Sequence, residues 1–378
     1  MNMSLISFRL LALTLSLPFM SHSQTSDNQS FLVYIGTYDK GVYAFRLDAK
    51  HELHALGLVG EVINPSWVGT DRDHKYLYAV SELEGKENGG VASFSIDRET
   101  GKLHPLNHVD SAGVAPCFLA ADATGKTLVV ANYVTGGVSS FPIKPDGSLG
   151  QMSSLMTTEG HGPNQERQEG PHAHEAVIST DNQRVYVPDL GLDHIRIYRL
   201  DPSTSKLTPN DPPFVKGAPG QGPRHMVFDR HEKFAYLLNE IKPVISVYSR
   251  DPANGNLHLV ESVPTLPSDF SKENTGAEIR LDPAGKFLYA SNRGADTIQV
   301  FAVDSSTGKI KQVQSVPTGG KEPRGFALDP TGKLLLVGNQ KSNSLVVFKV
   351  DGATGKLTST GRQFEVPTPV DVLFVPAA

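Results

Sequence analysis

The sequence predicts an all-β fold, a seven-bladed β-propeller with four antiparallel strands per blade, and three observations carry that prediction. An aromatic residue in the pattern apolar-x-x-Phe/Tyr recurs seven times, at Phe45, Phe94, Phe141, Tyr198, Tyr248, Phe301 and Phe348, in steps of 47 to 57 residues. A second column of polar residues precedes it, and a third column of turn residues precedes the second. The units at the two chain ends are incomplete and together make up one blade.

The second column is Thr37, Ser81, Asn132, Asp189, Asn239, Asn292 and Asn339, nine residues ahead of the aromatic in five copies. Ser81 departs through a polar insert, 84–90, which reads as a longer surface loop. Ten residues before the column stand Asp71, Asp122, Ser179, Asp229, Asp282 and Asp329, with Gly-Lys following in three copies. That chemistry marks a tight turn between a first and a second strand. The stretch Gly170 to Asp201 displays one unit: a polar entry, then short β-rich apolar runs separated by turn residues. At the ends, Phe31 to Thr37 reads as a second strand and Pro369 to Val375 as a first strand. Pairing them closes the ring and hides edges that otherwise invite aggregation.

Composition agrees with a turn-rich globular β protein: 39% hydrophobic residues, 35 Gly, 26 Pro and 20% charged residues. At the N-terminus Arg9 precedes an apolar run from Leu10 to Met20, and small residues follow at Ser21 and Ser23. This reads as a secretory signal over 1–23, leaving 24–378 as a single domain, periplasmic or secreted. The run is too short to cross a bilayer, which needs about 20 residues. A single cysteine, Cys117, excludes an internal disulfide. Net charge is −5, or −6 once Arg9 leaves with the signal, and no basic cluster occurs, so nucleic acid is excluded as a partner. After signal cleavage no membrane partner is expected, and the protein is expected to be a monomer or a dimer.

First strands begin, and second strands end, at the same face of such a ring. Five residues before the turn column the first strands carry Ser66, Cys117, His174, Arg224, Ala277 and Arg324, and period-two alternation gives His172 the same orientation. Second-strand ends add Asp189, Glu240, Asn292 and Arg293. His172, His174, Arg224, Glu240, Arg293 and Arg324 are thus expected around one depression, against the alternative of ordinary solvated rim charges. Glu175, His225 and Glu278 lie one residue later, as supporting or blade-packing partners, and His225 is grouped with the substrate-binding set. The loop from His161, HGPNQERQEG, lengthens one unit and could bring Asn164, Arg167 and Gln168 over the mouth.

Competing motifs are weaker. His172 and His174 have the spacing of two metal ligands, with Asp189 or Glu240 to complete a set, but nearby arginines oppose a cation, and neither metal nor cofactor is expected. Gly125-Lys126-Thr127 resembles the end of a phosphate loop, yet Ala120 stands where the leading glycine belongs and Gly-Lys recurs as a turn elsewhere. No G-x-S-x-G elbow exists, and Trp67 is the one tryptophan, which argues against a serine esterase and a Trp-Asp repeat ring.

The segments GPNQERQEGPHAH from Gly162, GPRHMVF from Gly222, LLNE from Leu237, AEIRLDPAGKFLYASNRG from Ala277 and PRGFALDPTGK from Pro323 resemble the lactonase family of seven-bladed propellers. That family includes bacterial 6-phosphogluconolactonase and the fungal carboxymuconate-lactonising enzyme. The resemblance covers the chain after the signal. It implies a catalytic set of His172 or His174, Arg224, Glu240 and Arg293; by their positions around the mouth, Arg167, Asp189, His225, Asn292 and Arg324 are expected toward substrate. Glu175 departs from the small or neutral residue expected after the PHAH motif.

The chemistry so implied is the opening of a sugar lactone by water, with Glu240 as base, Arg224 and Arg293 stabilising the oxyanion, and His172 or His174 relaying protons to the ring oxygen. Export favours an unphosphorylated aldonolactone such as gluconolactone. Two other readings stand beside it: a carboxymuconate-type cycloisomerase, and an exported ring that binds a partner without catalysis.

Overall fold

The computed structural model describes residues 29–378 apart from 84 and 86, so the signal read in 1–23 lies outside the described residues. The described chain forms seven antiparallel sheets of four strands each, six built from consecutive strands. In the seventh, Pro369–Pro376 pairs with Phe31–Thr37 in the register Phe31↔Pro376 to Gly36↔Asp371, followed by two further N-terminal strands, Gly41–Leu47 and Leu53–Glu61. Both chain ends are thereby tied into one ladder.

The repeat columns have physical causes. Four of the five turn aspartates use one carboxylate oxygen to accept amide hydrogen bonds from the residues four and five positions later, and Asp229 accepts the amide five positions later. Asp122 Oδ1 takes the amides of Lys126 and Thr127, both at 2.7 Å, and Asp282 and Asp329 do likewise. A short acceptor that bonds its own local backbone fixes the turn, and that accounts for the column. At three second-strand ends the polar column holds the start of the third strand: Thr37 Oγ1 donates to the Gly41 carbonyl at 2.7 Å, Asn132 Nδ2 to that of Gly137 at 3.4 Å and Asn239 Nδ2 to that of Val244 at 2.9 Å.

Second strands such as Thr127–Asn132, Arg184–Asp189, Phe234–Asn239 and Leu334–Asn339 are buried along their whole length because neighbouring blades cover both faces. Outer strands such as Leu257–Pro264 and Ile310–Pro317 alternate between covered and exposed residues. The seven column aromatics are all buried and fill the spaces between sheets. A set of buried tyrosines also joins neighbouring blades. Tyr34, Tyr186 and Tyr289 each donate to a turn glycine carbonyl of the next blade, at Gly101, Gly255 and Gly355, over 3.1, 2.8 and 2.8 Å.

What positions the site is a fault in the innermost ladders. In five blades the pairing of the first strand with the second shifts register near the mouth. Cys117, Arg224, Arg324 and Val370 are the residues passed over, a bulge that re-aims side chains toward the axis.

The inter-blade tyrosine bonds are testable. Tyr289→Phe keeps the ring and its packing and removes one buried hydrogen bond, so unfolding stability is expected to fall by about 1 kcal/mol. Urea denaturation midpoints for the two proteins measure this, and an unchanged midpoint would show that the bond contributes nothing.

Candidate active site

At the mouth of the ring lies a cavity of about 660 Å³, within the range that holds a small polar ligand. Its wall is built mainly from one recurrent position, the residue immediately after the second-strand column. Six of the seven such residues line it: Tyr38, Glu82, Tyr133, Glu240, Arg293 and Gln340. Beneath them the bulged first strands and the loop before blade four contribute Cys117, His174, Arg324 and Arg167.

Glu240 is the centre of this arrangement. It is 5% exposed, and its two carboxylate oxygens meet three guanidinium groups. Arg167 Nη2 lies 2.5 Å from Oε1, while Arg224 Nε at 2.8 Å and Arg293 Nη2 at 3.0 Å share Oε2. His174 Nε2 stands 3.7 Å from the same oxygen. Burial opposes ionisation of Glu240, but Arg293, Arg224, His174 and Arg167 outweigh it and hold the carboxyl well below the usual range. Burial in turn pushes the Arg293 guanidinium down to about 10, with Glu240 opposing and Arg224 and Arg324 adding to the fall. For His174, burial together with Arg224 and His225 moves the imidazole well below 6.5, so it is neutral at neutral pH.

The residues expected from the sequence fall into two groups. His174, Glu240, Arg293, Arg324 and Arg167 line the cavity. Arg224 lies just beneath, held between Glu240 and the Ala277 carbonyl. His172, Asp189, Asn292 and His225 do not reach the cavity. His172 stacks on Tyr133 at 4.6 Å and 14°, with Nδ1 2.9 Å from the Tyr133 carbonyl and Nε2 3.2 Å from Glu169. Period-two alternation fails to carry His172 to the same place as His174 because the first strand is irregular there, pairing at Ala173↔Asp189 and resuming only at Val177↔Tyr186.

Asp189 turns into the chain. Its Oδ1 accepts amide hydrogen bonds from His172, Gly191 and Leu192, and its Oδ2 lies 3.2 Å from Arg196. Asn292 accepts from Thr265 Oγ1 and Asn274 Nδ2 and holds the loop ahead of its blade. Both therefore do the work of their column, which is to hold turns. His225 lies below the cavity floor, with Trp67, Phe118 and His174 against its ring. Of the long loop, Arg167 alone reaches the cavity. Asn164 accepts from the Arg167 amide, and Gln168 is buried and donates to the Leu190 carbonyl.

Tyr38, Glu82, Tyr133 and Gln340 were not among the residues singled out from the sequence. The signal was present, since each follows the polar column directly, as Glu240 and Arg293 do. Tyr38 donates to Glu82 at 2.9 Å and accepts from Arg324 at 2.8 Å, and Ser66 also donates to Glu82. Across the ring from Glu240, the wall thus offers a second network of hydroxyl, carboxylate and guanidinium groups.

Replacing Glu240 by Gln removes the charge that three guanidiniums share. Breaking a buried ion pair on one side is expected to cost about 3 kcal/mol or more, measured as a lowered denaturation midpoint. An unchanged midpoint would show that the arginines find other partners.

The chain is similar to known proteins over most of its length. The chain is 36% identical over 301 residues to a 6-phosphogluconolactonase of Bacillus subtilis, covering 78% of this chain and 84% of that one. It is 34% identical over 307 residues to a 6-phosphogluconolactonase of Formosa agariphila, covering 78% and 85%. Among solved structures, a periplasmic gluconolactonase of Pseudomonas aeruginosa superposes with a TM-score of 0.87 at 31% identity, over 92% of this chain and all of that one. The model of the family described as "Lactonase, 7-bladed beta-propeller" matches residues 32–374, and the chain belongs to that family.

Proposed function

We propose that the protein is a lactone hydrolase that opens an unphosphorylated aldonolactone such as gluconolactone outside the cytoplasm. The observation that carries the reading is the cavity wall itself: guanidinium donors, a neutral imidazole and a buried carboxylate converge where a small cyclic ester fits. Relatives named for lactone hydrolysis support the reaction class.

Opening a lactone requires water to add to the carbonyl carbon, a group to take the water's proton, and donors for the oxyanion. Arg293 and Arg167 supply the donors from the cavity wall, preorganised by their contacts with Glu240. Glu240 is the base expected from the sequence, but clamped on both oxygens and held well below the usual carboxylate range it is a weak one. His174 suits that step better. Neutral at neutral pH, it accepts the proton beside Glu240, whose charge stabilises the imidazolium, and returns the proton to the leaving ring oxygen. Arg224 holds Glu240 in place. Tyr38, Glu82 and Gln340, on the far wall, offer donors and acceptors for sugar hydroxyls.

The state of the cations favours an uncharged substrate. Arg167 and Arg293 are engaged with Glu240, and Arg324 with Tyr38, so a phosphate would have to compete for groups already paired. Export rests on the sequence of 1–23, and a periplasmic gluconolactonase among the similar structures agrees with it.

Protein lacking 1–23 is expected to open gluconolactone with a higher kcat/KM than its 6-phosphate, and a reporter fused to the full chain should appear outside the inner membrane. Arg293→Ala is expected to lower kcat by about a hundredfold, with chelators having no effect. Because burial lowers the His174 value, kcat/KM should hold constant down to about pH 6.5 and fall only below it, as the imidazole gains its proton. Preference for the phosphorylated lactone, or full activity in Arg293→Ala, would overturn the assignment.

A further inference from the structure

A second tier of ionisable groups lies under the cavity floor, where lactone chemistry does not reach. Glu175, His225, Glu278 and Asp371 are each no more than 3% exposed. Burying so many ionisable groups is costly unless each is partnered. Most are: Glu175 accepts the Met226 amide, Asp371 the amides of Val68 and Val372, and Glu278 the amide of Ile279. His225 is half partnered. Its Nδ1 lies 3.2 Å from Glu278 Oε2, which also faces Arg280 Nη2 at 3.5 Å, whereas its Nε2 is buried and has no hydrogen-bond partner among the described residues.

A small void of about 10 Å³ adjoins this tier, bounded among others by Ser66, Cys117, His174, Arg224, His225 and Glu278. That is about the least volume that accommodates one water molecule, and its polar boundary offers the hydrogen bonds a buried water requires. The imidazoles of His174 and His225 stand edge to face at 5.1 Å. The void therefore touches both the cavity histidine and the buried one.

We propose that His225 is a positioning residue for His174: donating a hydrogen bond from Nδ1–H to Glu278, it accepts at Nε2 from a single water in the void, and that water fixes the tautomer of His174. His174 is thereby kept with a lone pair toward the cavity, ready for the proton of the attacking water. No proton crosses to Glu278. The proton stays on His174 until the ring oxygen takes it. The arrangement follows the general logic of a base oriented by a second group. It rests on the reading of His174 as the proton acceptor in lactone opening.

The charged groups around His225 set its own state. Burial lowers its imidazole well below 6.5, with Arg224, Arg280 and Arg324 adding to the fall and Glu240 opposing it. Burial raises Glu278, with Arg280 and Arg224 opposing. Glu175 and Asp371 complete the tier; Asp371 is pushed up to about 7 by burial, against the Val68 amide and Arg280. Neutral His225 is the form that can both donate at Nδ1 and accept at Nε2.

Two variants and two measurements test this. Glu278→Gln keeps a carbonyl acceptor for Nδ1 and removes the charge, and His225→Gln removes the imidazole. Both are expected to lower kcat on gluconolactone by about tenfold or more, with KM within about twofold. Glu278→Gln should also move the acid limb of kcat/KM to lower pH by about half a unit, because the imidazolium on His174 loses a stabilising charge. The second measurement needs no substrate: imidazole ¹⁵N spectra should show one His174 tautomer in the wild type and a mixture in both variants. Folded variants with wild-type kcat, pH profile and His174 tautomer would overturn the proposal. If His225→Gln does not fold, Glu278→Gln decides alone. If the wild type opens no lactone, the functional reading fails, while the tautomer spectra still decide whether His225 positions His174.

Discussion

The Glu240 carboxylate can be buried at the axis of the ring only because three guanidinium groups converge on it from different parts of the chain. Arg224 comes from the first strand of the same blade, Arg293 from the next blade and Arg167 from the long loop ahead of blade four. Isolated in a low-dielectric interior, any of these charges would carry a desolvation penalty of several kcal/mol. Brought together they offset one another, and the geometry that achieves this is the geometry of the fold. The same contacts that satisfy the carboxylate fix the directions of the arginine donors at the cavity wall. Blade packing and site preorganisation are therefore not separable: a shift of one blade against its neighbour would lengthen an ion pair and re-aim a donor.

The ring was legible in the sequence because its repeat is enforced locally. An aromatic wedged between sheets recurs in every blade, and in most blades an acidic or hydroxyl turn residue ties the backbone a few residues ahead, whatever the surface does. Closure was legible for the same reason, since the chain from Phe31 supplies three strands of a unit and Pro369–Pro376 the one that is missing. The inter-blade tyrosine bonds were not, because a tyrosine in an apolar strand does not announce which carbonyl it meets two strands away.

Site residues were legible as a neighbourhood but less so by orientation. Register counting placed His174, Arg224, Glu240, Arg293 and Arg324 correctly near the axis. It also counted Asp189 and Asn292, which hold local backbone, and did not extend the wall position it had found at Glu240 and Arg293 to Tyr38, Glu82, Tyr133 and Gln340. Bulges caused the rest of the discrepancy. Where a residue is passed over in the ladder, as at Arg224, two successive side chains face the axis at different depths. Arg224 thus meets Glu240 while His225 drops beneath it to Glu278. Alternation by twos predicts the placement of Arg224 but not that of His225.

The three depths at the axis have different chemical characters, and their order follows from solvent access. The outermost residues, Tyr38, Tyr133 and Gln340 among them, are hydrogen-bonding groups that a hydrated substrate can exchange for water. At the middle depth, His174 and Arg224 lie against Glu240 in a water-poor setting, where electrostatic contacts are stronger than in solvent. The deepest tier pairs Glu278 with His225 and Arg280 out of contact with substrate. A hydrolase without a covalent nucleophile gains from this gradient. In the proposed reaction the water enters from the open side, the proton it loses is taken up at intermediate depth, and charges too costly to leave mobile are fixed below. On the function proposed above, the substrate enters without charge and leaves as a carboxylate, so the arginines proposed to stabilise the oxyanion also face the product. Because Glu240 already occupies them, the product carboxylate meets competition for its binding groups, and the clamp that prepares the site for catalysis also limits how tightly it holds what it makes.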